Sequence, residues 1–222
     1  MLKPEDQIAA NIRLRRIGNM LLLFTVIAFG AKALMQPETQ ERYTPLVIFH
    51  AATMLTWLAL FANQASLAAW KKFGLHKQLG RASIALVGAM LVSGVIISWN
   101  IGAELGRFEV TVVNIAAFVT FIPLYFAALH FARQRRIHAH RQAMLIGTLA
   151  LMTPAYARIV QVMGLPDPVA IGVQLPITIL IALSYEMITI GRLTPETKAM
   201  LVFSVAVIAV MVAVLAAFFL PL

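Results

Sequence analysis

The 222-residue chain has no cysteine, which excludes disulfides, thiolate metal sites, iron–sulfur clusters and covalently attached c-type haem. Charged residues are also scarce, at 12% of the chain, whereas 61% of its residues are hydrophobic. The polar stretches between the apolar segments are too short to form a separate soluble domain. A metal ion in this protein must therefore be held by histidine, methionine or carboxylate side chains.

Seven apolar segments are each long enough to cross a bilayer, which needs about 20 residues of helix. They lie at residues 17–35, 45–70, 82–100, 110–132, 142–163, 168–190 and 199–220. The chain is therefore predicted to be an all-α, polytopic membrane helix bundle with the lipid bilayer as its surroundings. In residues 1–16 acids precede bases, which predicts a cytoplasmic interfacial helix. Residues 17–222 form the predicted seven-helix domain, with the core bundle at about 45–163.

The positive charges are distributed unevenly along the chain. Fourteen of the 18 Lys and Arg residues lie in the N-terminus and in every second loop, and the other four are Lys32, Arg42, Arg107 and Arg158. Because cytoplasmic loops of membrane proteins carry an excess of basic residues, this pattern predicts a cytoplasmic N-terminus and a periplasmic C-terminus in a bacterial inner membrane. The net charge of +9 is explained by topology, so no nucleic-acid partner is expected.

Polar residues inside the spans are costly in lipid, so their positions indicate function. Along the second span His50, Trp57 and Gln64 recur on one helical stripe, and the fifth span carries a stripe that ends at Arg158. Counted from the nearest loops, His50 and Arg158 lie at the same depth of about 9 Å. We therefore predict an outer polar site made of His50, Trp57, Gln64, Tyr156 and Arg158.

Two cytoplasmic segments have a matching design in which a histidine opens a helix beside basic residues. They are His76-Lys77-Gln78-Leu79-Gly80-Arg81 and His140-Arg141-Gln142-Ala143-Met144. The positive end of a helix disfavours a protonated imidazole, so these histidines are expected in the neutral form that binds metals. His76 and His140 are the predicted metal ligands, and interfacial loop histidines are the alternative interpretation.

The same residues resemble a bacterial family of predicted multi-pass membrane proteins of unknown function. That family typically shows an early His, then His-Arg-x-Leu-Gly-Arg, then His-Arg-x-x-Met, then a downstream Arg. The match covers roughly residues 45–160 and departs at Lys77, where Arg is usual, and at Ala143, where an aromatic residue is common. The resemblance implies which residues matter and brings no established activity.

A looser resemblance is to transmembrane b-type cytochromes, in which histidines from different helices hold a haem. It implies one haem b between His76 and His140, with Arg81 or Arg141 near the propionates. The histidines do not support a second haem, because His50 has no outer partner. A shared ligand requires the side chains of His76 and His140 to lie within about 15 Å of each other.

Three classes of function remain open: a haem- or quinone-linked redox module, a small permease or ligand-binding protein, and an accessory subunit of a larger membrane complex. Pro123, Pro154 and Pro176 are expected to kink the fourth, fifth and sixth spans. No convincing internal repeat is apparent, so an inverted-repeat transporter is not supported. Glu186 is expected near the inner surface, which argues against a hydrolase that uses a buried carboxylate and a metal.

Overall fold

The computed structural model describes residues 3–219, and all regular structure in this range is helical. Eight α-helices follow one another, with one short 3₁₀ helix, Pro37–Arg42, after the first. Their bounds are α1 Pro4–Met35, α2 Pro45–Ala69, α3 Phe73–Leu105, α4 Phe108–Arg133, α5 Ile137–Ala150, α6 Thr153–Val162, α7 Pro168–Ile190 and α8 Pro195–Phe219. The helices α5 and α6 together form the fifth span. Seven spans are thus long and apolar enough to cross a membrane, as the sequence predicted.

Helix α1 extends well beyond the first predicted span. Residues 4–16, where the sequence predicted an interfacial helix, are the first turns of α1, which continues without a break to Met35. This segment has a buried face that includes Ala10, Asn11 and Leu14. The face is buried because it packs against α5 and α7, where Arg141 and Tyr185 donate hydrogen bonds to it. Residues 1–2 and 220–222 lie outside the described range.

The fifth span is interrupted at its middle. Pro154 has no N–H, so the α-helical hydrogen bond to Ala150 is absent, and the chain forms a turn at Leu151 and Met152 before α6 begins. The Gln174 amide on α7 donates to the carbonyl of Leu149 at 3.1 Å and compensates for the break. Helices α4 and α7 continue through Pro123 and Pro176, so the break occurs at the proline of the fifth span.

The fifth span is the most buried of the seven and α8 is the most exposed. Neighbouring helices pack pairwise from α1 to α5, and α5 also contacts α7 and α8. Helices α3 and α5 do not pack extensively on each other. They meet mainly at the end of the bundle that contains the α2–α3 and α4–α5 turns, called the basic end below because Lys71 and Arg135 lie in these turns.

Candidate functional site

The histidines predicted as ligands lie side by side at the basic end. His76 is in the first turn of α3 and His140 is in the first turn of α5. Their ring centroids are 6.4 Å apart and their planes are inclined by 76°. This separation is well inside the 15 Å limit for a shared ligand. Two nitrogens that bind one metal are each about 2.0–2.1 Å from it, so the two rings are spaced appropriately for one metal atom between them.

Hydrogen bonds to main-chain carbonyls orient both rings. Nδ1 of His76 is 3.2 Å from the carbonyl oxygen of Gln64, and Nδ1 of His140 is 2.9 Å from that of Ala128. A carbonyl can only accept, so Nδ1 carries the proton in each ring and the lone pair is on Nε2. The same arrangement is common in metal-binding histidines, where a hydrogen bond at one ring nitrogen orients the other toward the metal.

The two histidines occupy equivalent positions in two copies of one helical hairpin. His76 and His140 are 64 positions apart, as are the acceptors Gln64 and Ala128. Residues 71–78 read KKFGLHKQ and residues 135–142 read RRIHAHRQ. The similarity of the two sequences is confined to about eight residues around each turn, which is too short to appear as a convincing repeat in the sequence.

The turns of the two hairpins have the same backbone geometry. Lys71 and Arg135 both have a left-handed conformation, with φ of 58° and 60°. The following N–H groups, of Lys72 and Arg136, donate to carbonyls five residues earlier at 2.8 and 2.9 Å. This Schellman-type ending reverses the chain in the same way in each hairpin and places each histidine opposite the end of the preceding helix.

Gln64 belongs to the histidine pair and not to the predicted outer site. Its side-chain Nε2 donates to the carbonyl of His76 at 3.1 Å, while its own carbonyl accepts from the His76 ring. It is 14 residues from His50, or about 21 Å along α2. The outer assignment was wrong because the stripe along α2 spans the bilayer, so its two ends lie at different surfaces. Gly80 lies beside Gln64. A Cβ added at Gly80 would have only the side-chain amide of Gln64 within 4 Å, at 3.7 Å.

The two arginines predicted to contact haem propionates differ in their surroundings. Arg141 is buried, and its guanidinium donates to the side chains of Asn11 and Gln7 at 2.8 and 3.2 Å. Arg141 therefore connects α5 to α1, and its predicted propionate contact conflicts with this position. Arg81 is exposed and makes no hydrogen bond within residues 3–219, so it is accessible to a ligand at the basic end.

The remaining residues of the predicted outer site do not converge. Nδ1 of His50 is 2.9 Å from Ser93 Oγ on α3. Trp57 is buried in the core and contacts the ring of Phe121 edge-on at 5.1 Å between centroids. Arg158 donates to Gln161 on its own helix, and no hydrogen bond joins it to His50 in the described structure.

The other two members of the predicted outer site are on α6 and contact α1. The Tyr156 ring lies 5.0 Å from that of Phe24, and Arg158 lies over the ring of Phe29. These two residues therefore belong to the α1–α6 contact, which is separate from the contact of His50 with α3. The five residues of the predicted site, including Gln64, thus lie in four different environments.

Sequence reasoning missed a buried carboxylate cluster on the other side of α5. The Glu186 side chain of α7 is completely buried between helices at the basic end, so the expectation that the chain lacks a buried carboxylate was wrong. It accepts hydrogen bonds from His138 at 2.5 Å, Gln142 at 2.8 Å, Thr197 at 2.9 Å and the Thr194 N–H at 2.9 Å. Glu186 is the only acidic residue inside a predicted span, and this was the signal that could have identified it.

No group of three or more His, Asp or Glu side chains in residues 3–219 is arranged to hold a metal ion. Comparisons with family models, curated proteins and solved structures found no match to the chain. The resemblance to a bacterial membrane family therefore stays a prediction. The all-helical fold, with seven spans long and apolar enough to cross a membrane within the described residues, is consistent with an integral membrane protein.

Proposed function

We propose that this protein is a membrane redox module that binds one haem b, with His76 and His140 as the axial ligands. The observation that supports this proposal is the pair of neighbouring imidazoles whose Nδ1 atoms are both held by main-chain carbonyls. In that arrangement each histidine has a free lone pair on Nε2 with which it could bind a single metal atom.

The number and type of donors favour haem over a free metal ion. A structural metal ion needs about four protein ligands, and a catalytic zinc ion needs about three. Haem iron takes four nitrogens from its macrocycle and needs only two more, and histidine is a usual axial ligand. Two imidazoles from helices that do not pack extensively on each other fit this requirement. Bound haem would supply a one-electron Fe(III)/Fe(II) couple.

The repeated hairpin supports the same proposal. Each copy contributes one histidine, and each histidine is oriented from the helix that precedes it. A pair of equivalent ligands is suited to a cofactor whose two faces are chemically alike, such as haem. Gln64 also orients His76, and Arg81 is an exposed cation on α3 that could pair with a propionate.

Visible absorption of the purified full-length protein tests the proposal. We expect a Soret band, sharp bands after dithionite reduction, and about one haem for each chain. His76→Ala and His140→Ala should each remove most of the bound haem. His130→Ala is the matched control, because this exposed histidine bonds only to Gln134 four residues away.

Two results would overturn the haem proposal. One is a colourless protein that also fails to bind added hemin, with correct insertion confirmed. The other is equal loss of haem in the His76, His140 and His130 variants, which would indicate non-specific binding. The redox partner, for which the sequence predicted a quinone, stays a prediction, as do the permease and accessory-subunit alternatives.

We further propose a bacterial inner-membrane location with the basic end in the cytoplasm, on the strength of the charge distribution. The chain has no cysteine, so single cysteines at positions 40 and 74 can report their side of the membrane. In intact cells a membrane-impermeant thiol reagent should label position 40 and not position 74. The reverse labelling would show that the orientation is inverted.

A further inference from the structure

Positive charge is concentrated at one corner of the bundle end opposite the basic end. Only four basic residues lie on that side, and three of them are found at the ends of α1 and α6 and in the α3–α4 loop. These three are Lys32, Arg107 and Arg158. Such a cluster departs from the general charge distribution of the chain and therefore calls for a local explanation.

Arg107 is neutralised by neighbouring carboxylates. It donates to Asp167 at 2.5 Å and to Glu109 at 2.9 Å. The other oxygen of Asp167 accepts from the side chain of Gln161 at 2.9 Å. Two acidic side chains of this corner are therefore already engaged with Arg107, and a third, Glu38, makes no salt bridge within residues 3–219.

Lys32 and Arg158 have neutral partners instead. Lys32 donates to the side-chain oxygen of Gln36, and Arg158 donates to that of Gln161 at 3.1 Å. Neither makes a salt bridge within residues 3–219. Gln36 Nε2 in turn donates to the main-chain carbonyl of Gln161 at 3.3 Å, so the partners of the two cations are in contact and bring the two charges close together. Asp167 acts on both cations at longer range and Glu38 acts on Lys32, in neither case through a salt bridge. Two cations held together without a paired anion, at least one of them half-buried, provide the electrostatic conditions for binding an anion.

We propose that Lys32 and Arg158 bind the phosphate group of a phospholipid headgroup. Both residues are about one helical turn, roughly 5 Å, from the ends of α1 and α6. Phospholipid phosphates occupy this level of a bilayer. The guanidinium offers a planar set of donors and the ammonium a compact charge, a combination suited to phosphate oxygens. Phe29, which lies under Arg158 at 5.4 Å, presents an apolar surface to the adjoining acyl chain.

Binding of short-chain phosphatidylglycerol to the purified full-length protein tests this site. Dissociation constants would be measured in detergent for the wild type, Lys32→Gln and Arg158→Gln. Loss of a charge-assisted hydrogen bond predicts about tenfold weaker binding or more in each variant. Arg42→Gln is the control, because Arg42 is an exposed cation on the same side whose side chain makes no hydrogen bond or salt bridge within residues 3–219, and this variant should bind the lipid as the wild type does.

Two further ligands show whether the phosphate group, the acyl chains or both are needed for binding. Diacylglycerol lacks the phosphate and should bind weakly, whereas inorganic phosphate should compete only at much higher concentration than the lipid. If inorganic phosphate binds as tightly as the lipid, the site is for free phosphate. If diacylglycerol binds as well as phosphatidylglycerol, or if neither Lys32→Gln nor Arg158→Gln weakens binding, the proposal is wrong. If Arg158→Gln does not fold, Lys32→Gln alone decides.

Discussion

The buried carboxylate of Glu186 connects three helices at the basic end, and its removal provides a strong test of the packing described above. His138 and Gln142 reach it from α5, while Thr194 and Thr197 reach it from the start of α8. A Glu186→Leu substitution places an apolar side chain of similar size in this position and removes both carboxylate oxygens that accept these hydrogen bonds. Two of the four donors, His138 and the Thr194 N–H, then have no other partner, whereas the Gln142 amide still bonds to the carbonyl of Ala182.

Thr197 also retains a contact, since its hydroxyl oxygen accepts from the Thr194 hydroxyl at 3.1 Å. Hydrogen bonds between membrane helices average about 0.6 kcal/mol, so the four bonds together set a lower limit of about 2 kcal/mol. Removal of one partner from a buried charged pair costs about 3–5 kcal/mol in soluble proteins, which sets the upper limit. We therefore expect the free energy of unfolding to fall by about 2–5 kcal/mol.

Equilibrium unfolding by sodium dodecyl sulfate in mixed micelles, followed by circular dichroism, measures this change. Glu196→Gln is the matched control, because Glu196 pairs with the exposed Arg136 at the surface. Such a pair contributes about 0–1 kcal/mol, so the control should unfold nearly as the wild type does. A loss below about 1 kcal/mol for Glu186→Leu, or equal losses for the two variants, would refute the reasoning that this cluster stabilises the bundle.

Two further outcomes follow from the packing of α3 and from the loop ion pairs. Gly94→Ala should destabilise the protein by about 1–3 kcal/mol in the same unfolding assay, since its new Cβ would lie 2.5 Å from Phe118. Gly88→Ala, with nothing within 4 Å, should not destabilise it. Burial acts to raise the pKa of Asp167, but Gln161 and the Arg107 guanidinium outweigh it and hold that pKa below its ordinary value. Its stabilisation is therefore complete above the unfolded pKa of about 3.9 and is lost as the pH falls through the lower folded pKa. The stability difference between wild type and Asp167→Asn should shrink below about pH 4, and a difference independent of pH would contradict this.

The sequence alone was sufficient to predict the seven spans, because the hydropathy that drives a segment into lipid is a local property of about 20 consecutive residues. The sequence also identified His76 and His140 as candidate ligands, because their position at helix starts beside basic residues is a local pattern. The break at Pro154 followed from the missing N–H of proline. The spans were predicted too short, however, most clearly at α1, because the polar turns that extend it are stabilised by partners distant in sequence.

Only the tertiary structure decided which of these polar residues meet. Helices in lipid are held together by close packing and by interhelical hydrogen bonds, and neither is encoded in the apolar periodicity of one helix. Gln64 was assigned to the wrong surface because a stripe on a helix does not show which neighbour each of its turns contacts. The burial of Glu186 was not predicted, because the threonines of α8 that bond to it come from another helix. The chain order thus determined the depth of each side chain, whereas the arrangement of the helices around α5 determined its partners.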